Sequence, residues 1–368
     1  MRSMFSFLVF ISVVLLLYFS MNFYVLARLC GLFQIKKGVV FWVVIIIAGV
    51  SLVGASVLQS HWGNITSRLV YTISAGWLGV LWLLFSTLIV YEIVRLFIKI
   101  NPFTAGVLIL TIVAVVTLYS IINAHSLHIK RLTIPGPVDS NIVQLSDIHI
   151  GSVGVNYVKR IIDKTNALEP DLVLITGDLV DNFNSYTQKT VGLLKNLKAP
   201  VLFVTGNHER YVGAEKVVRL LKTSDVKVLR NQSTDYGRIQ IIGIDYNDDE
   251  NNLEQLIRGL KIDKSGFCIL MSHRPVNLKK ISTAGIDLVL SGHTHWGQIF
   301  PFNYIVGLFF EYISGLHKQD NTYLYVTSGT GTWGPRMRFG SASEIVLVEI
   351  RKQKVYNHEQ SKPATPVK

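Results

Sequence analysis

Apolar positions fall in two regimes along the chain. Four long, nearly unbroken runs, at about 4–27, 38–60, 69–91 and 103–124, are each long enough to cross the roughly 30 Å hydrocarbon core as a helix. The first exceeds the ~7–15 apolar residues of a signal peptide, and three more follow it, so it reads as a retained span. After residue 124 the pattern shortens. A strand is expected at 126–134, then a turn at Pro135-Gly136-Pro137. Short runs at 142–145, 172–175 and 201–204 then alternate with helical spacing at Tyr157, Val158, Ile161, Ile162, Thr165 and Leu168 and around Val191, Leu194 and Leu197. Further strands are expected at 239–244, 268–271, 288–290, 324–326 and 345–350, with fewer helices between the last ones. The expected class is α/β, with one mixed sheet or two packed sheets. The domains would be a membrane region 1–124, a second domain 125–351 and a polar tail 352–368.

Charge follows the same division. Of the 368 residues 49% are hydrophobic, and up to Arg131 nine Lys/Arg face one acid, Glu92; the remainder carries 27 against 23, which together give +12. The basic excess therefore belongs to membrane loops, and a nucleic-acid partner is not expected. Even spans place both ends on one side. Arg28, Lys36, Lys37, Arg95 and Lys99 on the opposite side outnumber Arg2, Arg68, Lys130 and Arg131, which favours an extracytoplasmic second domain in a bacterial inner membrane. No ionisable residue interrupts the four runs, so they read as an anchor rather than an ion path. Cys30 and Cys268 suggest no disulfide.

Chemistry concentrates where the apolar runs of the second domain end. Asp147-Ile148-His149, Gly177-Asp178, Gly206-Asn207-His208-Glu209, Ser272-His273 and Gly292-His293-Thr294-His295 each follow such a run. Loops at the carboxyl ends of strands share one edge of an α/β sheet, so these side chains are expected to converge. Oxygen and imidazole donors without thiolate suit manganese, iron or zinc. Asp147, His149, Asp178, Asn207, His273, His293 and His295 are too many for one tetrahedral ion and fit two that share a carboxylate. Such a pair activates water and neutralises charge on a phosphoryl group.

These five motifs, in this order, resemble the calcineurin-like metallophosphoesterase family over roughly residues 142–350. The resemblance implies two packed mixed sheets flanked by helices, a four-layer sandwich. It assigns Asp147, His149 and His295 to one divalent metal, Asn207, His273 and His293 to the other, and Asp178 to both. His208 resembles the family's phosphate-contacting histidine, which donates a proton to the leaving oxygen, with Glu209 placed to orient it. Asp181 resembles an acid that orients a metal-binding imidazole, or else caps its loop. The Gly297-Gln298 pair and Thr327-Ser328-Gly329-Thr330-Gly331-Thr332-Trp333-Gly334-Pro335 resemble the membrane-associated bacterial branch.

Arg210, Arg274, Arg336 and Arg338 are candidate phosphate clamps. Trp296 either lines a groove or packs, and Asp248-Asp249-Glu250 reads as a solvated turn. Residues 300–313 read first as a core-packed crossover; the other reading is a segment that dips into the bilayer or holds an acyl chain. The expected activity is hydrolysis of a phosphomonoester, phosphodiester or pyrophosphate, on a lipid-linked or cell-envelope substrate. The alternatives are a UDP-diacylglucosamine-type pyrophosphate hydrolase of lipid A synthesis and a non-catalytic membrane sensor. The second requires lost ligands, and none of the seven is missing.

Overall fold

The computed structural model describes residues 2–246, 250–263 and 266–352. Asp248 and Asp249 of the acidic turn, and the tail beyond Lys352, lie outside the described residues. Four helices, α1 (Arg2–Leu32), α2 (Val39–Trp62), α3 (Ile65–Val94) and α4 (Pro102–His125), contain the four apolar runs. All four are long and apolar enough to cross a membrane. Local chemistry sets their ends. Asn64 caps α3 by accepting from the Ser67 N–H at 2.8 Å, and Asn101 caps α4, with Pro102 in the first turn. α2 stops at Gly63, whose φ of 58° a larger residue adopts only under strain.

Helix α3 begins four residues before its apolar run because those turns pack on protein. The Arg68 guanidinium lies 3.7 Å from the Tyr186 ring, and Tyr71 Oη is 3.2 Å from Ser152 Oγ. At the opposite end Glu92 pairs with Arg28 at 2.5 Å and with Arg95 at 2.8 Å.

Beyond α4, twelve strands among the described residues form two six-stranded sheets. The first has the order β1 (Leu127–Gly136), β12 (Ser343–Lys352), β2 (Ser140–Leu145), β3 (Leu172–Thr176), β4 (Val201–Val204), β5 (Val226–Val228). The second has the order β10 (Gly315–Gln319), β11 (Thr322–Val326), β9 (Leu288–Ser291), β8 (Phe267–Met271), β7 (Ile239–Gly243), β6 (Gln232–Tyr236). β2 to β5 run parallel, as do β7, β8, β9 and β11. Leu132, Ile142, Leu174 and Val348 of the first sheet pack against Ile241, Ile269, Leu290 and Tyr325 of the second. The outer faces carry their own cores under helices, such as Val158 and Ile161 on one side and Ile257 and Ile281 on the other. This is the expected pair of mixed sheets flanked by helices.

Two local expectations change. The strand expected to end before Pro135 runs through Pro135 and Gly136, which pair with Arg351 and Lys352. β1 is an edge strand, where proline gives up no ladder bond on its open side. Residues 300–313 are not a core-packed crossover: the short helix Phe302–Val306 buries no residue.

Candidate metal centre

Parallel strands deliver their carboxyl ends to one edge, and every predicted ligand leaves one. Asp147 and His149 follow β2, Asp178 follows β3, Asn207 and His208 follow β4, His273 follows β8, and His293 and His295 follow β9. The first sheet thus supplies one half of the site and the second sheet the other. Gln144, buried on β2, joins the halves by donating to Ser291 O and to Thr176 Oγ1, both at 3.0 Å.

The loops are strained where the donors sit. Asp147, His149, Asp178, His293 and His295, five of the seven predicted ligands, have φ between 50° and 73°. Asp and His tolerate this left-handed region better than most residues, and such strain concentrates at functional sites. The glycines of the motifs explain how the loops approach so closely. A Cβ on Gly206 would collide with the Asp178 carboxylate and backbone, and one on Gly292 with Asp147 and Ser146.

The donors form contiguous clusters. Ligand atoms of Asp147, His149 and His295 lie within 4.8 Å of one another, and so do those of Asp178, His273 and His293. Facing ring nitrogens approach to 3.0 Å between His149 and His295 and to 3.1 Å between His273 and His293. Asp147 Oδ1 is 3.4 Å from His295 Nε2, Asp178 Oδ2 is 3.2 Å from His273 Nε2, and Asn207 Oδ1 is 3.1 Å from the same nitrogen.

Charge states suit cation binding. Burial and neighbouring imidazoles lower the pKa of His293 to about 3 and that of His295 well below its usual value. Both rings are therefore neutral, as metal ligation requires. Burial raises the Asp147 carboxyl; Asp178, equally buried, is held well below the carboxylate range by His273, His208 and His149. The back nitrogens are tied down: His149 Nδ1 meets Asp181 Oδ1 at 2.6 Å, and His273 Nδ1 meets Thr176 O at 2.8 Å. Metal-binding histidines use such partners to fix tautomer and orientation. Against its burial, the charges of Asp178 and Asp147 push His273 up to about 9, so the neutral rings are His293 and His295. With nitrogen and oxygen donors and anchored rings, the cluster fits a divalent metal site.

His208 is partly open to solvent, with a side chain 15% exposed. Burial would lower its pKa, but the hydrogen bond its ring donates to Asp181 and the charges of Asp178, Asp181 and Glu209 push it up to about 9. Asp181 Oδ1 lies 2.9 Å from His208 Nδ1, so this carboxylate braces both His149 and His208; its other oxygen accepts from the Ser152 N–H. Glu209 does not orient His208 as expected. As the third residue of its helix it reaches back to the helix start. There it accepts from the N–H groups of Gly206 at 2.7 Å, Asp178 at 2.9 Å, Leu179 at 2.8 Å and Val180 at 3.2 Å, clamping the Asp178 loop.

The candidate arginines separate. Arg338 is fully buried beneath the site and donates to the carbonyls of Ser328 at 2.6 Å and Gly331 at 2.7 Å, with His295 Nδ1 at 3.3 Å. Arg336 donates to Ser152 O at the α3 seam. Full burial and its backbone carbonyl partners correct the reading of Arg338 as a phosphate clamp, while Arg336 is half-buried and bonds Ser152 O through Nε. Arg210 is exposed, and Arg274 lies 5.1 Å from the Phe310 ring. Trp296 is partly exposed rather than packed.

Sequence reasoning missed Gln144, Tyr246 and the place of Trp333 beside His208. The Tyr246 ring stands 6.0 Å from His273 and 6.4 Å from His293, and Trp333 stands 6.2 Å from His208. No spacing signal marks these residues; only the loops' meeting does.

The sequence profile of the calcineurin-like phosphoesterases matches residues 140–297. An uncharacterized metallophosphoesterase of Aquifex aeolicus is 32% identical over 255 residues, covering 63% of this chain and 95% of that protein. The chain belongs to the calcineurin-like metallophosphoesterase family. An uncharacterized metallophosphoesterase of Campylobacter jejuni is 38% identical over 231 residues, 59% of this chain and 60% of its own length. A Danio rerio transmembrane protein with metallophosphoesterase domain is 33% identical over 282 residues, 68% of this chain and 64% of that protein. The match thus spans about three-fifths of the Campylobacter and Helicobacter metallophosphoesterases. Within this metallophosphoesterase, the family profile covers the loops of Asp147 to His295, and four candidate membrane spans precede it.

Proposed function

We propose that the protein is a membrane-anchored hydrolase of a phosphomonoester, phosphodiester or pyrophosphate bond, with residues 1–124 as anchor and 125–351 as phosphoesterase domain. The supporting observation is the convergence of Asp147, His149 and His295 beside Asp178, His273 and His293 from four strand ends. Asp147, His149 and His295 would hold one divalent ion, Asn207, His273 and His293 a second, with Asp178 shared. When bound, the pair supplies Lewis-acid charge to a phosphoryl oxygen and lowers the pKa of water.

The chain's own residues do the rest. His208, protonated and open to solvent at the cluster edge, donates its proton to the leaving oxygen. Asp181 keeps that ring and His149 in place. Glu209 fixes the backbone that carries Asp178. Removing metal with a chelator is expected to abolish hydrolysis of a chromogenic phosphoester, and adding Mn²⁺, Fe²⁺ or Zn²⁺ to restore it. Activity that persists through chelation would refute the reading.

Asp181→Asn keeps the shape but loses the charge behind two imidazoles. It is expected to lower kcat by about 10–100-fold and to raise the metal concentration needed for half-maximal activity. A metal titration of the variant checks both effects, and an unchanged midpoint would leave Asp181 a loop cap.

The charge balance of the loops supports an extracytoplasmic domain and hence a lipid-linked or cell-envelope substrate. Protease added to intact spheroplasts is then expected to digest the domain. Protection until lysis would place it in the cytoplasm, where UDP-linked lipid precursors are the first substrates to test.

A further inference from the structure

We infer that residues 302–310 are immersed in the bilayer and present the metal centre to the phosphate headgroup of a lipid in the same membrane; the substrate part of this inference rests on the proposed phosphoesterase reading. The segment is apolar and unpaired with the domain core. From Ile299 to Phe310 the sequence carries no charged side chain. Leu308 is 81% exposed, Phe309 73% and Tyr304 68%, and the helix Phe302–Val306 buries nothing. Contiguous exposed apolar surface of this kind marks an interaction site.

Its position selects the partner. The Phe302 ring packs on Trp82 of α3 at 5.5 Å, and Trp82 Nε1 donates to Ile299 O at 3.2 Å. Ile299 and Met337 belong to the same apolar cluster as Leu81, Leu84 and Ile109 of the membrane helices. The Arg28–Glu92–Arg95 group sits at the far end of α3, where charged side chains meet water. Trp82 lies about ten residues before Glu92, or about 15 Å along the helix, well inside the roughly 30 Å hydrocarbon core. A segment touching Trp82 at that depth has lipid on its open side.

The other end of the segment reaches the site. The Phe310 ring lies 5.2 Å from His293, and Arg274 lies over the same ring. Thr294, between the two histidines of the turn, donates to Ile313 O at 2.7 Å. One continuous apolar surface therefore runs from a membrane helix to a candidate metal ligand. A lipid can keep its chains against Phe302, Leu308 and Phe309 while its phosphate reaches His293.

Two measurements on the full chain in phosphatidylcholine–phosphatidylglycerol vesicles decide this. The first labels Leu308→Cys with a solvatochromic nitrobenzoxadiazole group in a Cys30→Ser background, Cys268 being buried. Doxyl-labelled lipid is expected to quench it several-fold more than the same label at Lys222→Cys on the exposed domain surface. Equal quenching would mean that the segment is not in lipid, and would overturn the inference. The second compares methyl and hexadecyl p-nitrophenyl phosphate, diesters that differ only in the alkyl chain. The protein is expected to prefer the hexadecyl ester by about ten-fold or more in kcat/KM. Leu308→Glu/Phe309→Glu is expected to lose that preference while hydrolysing the methyl ester normally. A preference absent from the unaltered protein, or retained in the variant, would overturn the lipid assignment. Hydrolysis of neither ester would count against the phosphoesterase reading instead, and the quenching result would still decide the immersion.

Discussion

Alanine at Asp178 lowers phosphoester hydrolysis by about 10³-fold or more, the largest single-residue effect expected in this protein. Asp178 is the carboxylate proposed to be shared, and it lies between His208 and His273. One oxygen accepts from the His208 N–H at 2.9 Å, and the other lies 3.2 Å from His273 Nε2 and 4.0 Å from His208 Nε2. Neighbouring imidazoles hold it below the usual carboxylate range despite its burial, so it contributes full negative charge at the centre of the cluster. Its removal weakens both metal positions together, whereas loss of His295 leaves the other half intact. Steady-state hydrolysis of a chromogenic diester at saturating Mn²⁺ measures the effect. A variant within ten-fold of the unaltered protein would remove Asp178 from the shared position.

Alanine at His208 lowers kcat by about 10²–10⁴-fold, the range for loss of a general acid, while bound metal is unchanged. Its hydrogen bonding sets this histidine's proposed role apart, although its ring groups with His149 and Asp181, ligand atoms within 4.8 Å of one another. Its Nδ1 is engaged by Asp181, its Nε2 stands apart from the carboxylates, and its ring is edge-on to His149 at a centroid distance of 4.6 Å. An ester with a p-nitrophenol leaving group, which needs little protonation, should lose less rate than one with an alkyl alcohol. Equal losses on the two esters, or lost metal, would make His208 a ligand or a structural residue.

The sequence made the frame legible wherever one physical requirement dominated. Long apolar runs specify membrane helices because no other backbone arrangement satisfies its polar groups in hydrocarbon. The buried parallel strands, such as Val173 to Thr176 and Ile269 to Met271, read as short apolar runs because both faces are covered. The ligands were legible because each follows such a run. The edge strands β5, β6 and β10 were not, because they are polar and half-exposed. The roles of Glu209, Arg336 and Arg338 depend on which backbone groups a distant loop leaves unpaired, and spacing along the chain carries no such information. The same holds for residues 300–313, whose apolar content fits a core or a bilayer equally well until Trp82 is seen against Phe302.

The central claim is a two-ion site, and the most direct test is the metal content of the purified full chain, measured by elemental analysis alongside turnover as metal is titrated in. Two ions per chain at full activity, with Asp178→Ala losing metal from both positions, is the predicted result. Full activity with one ion per chain, or with none, would contradict it.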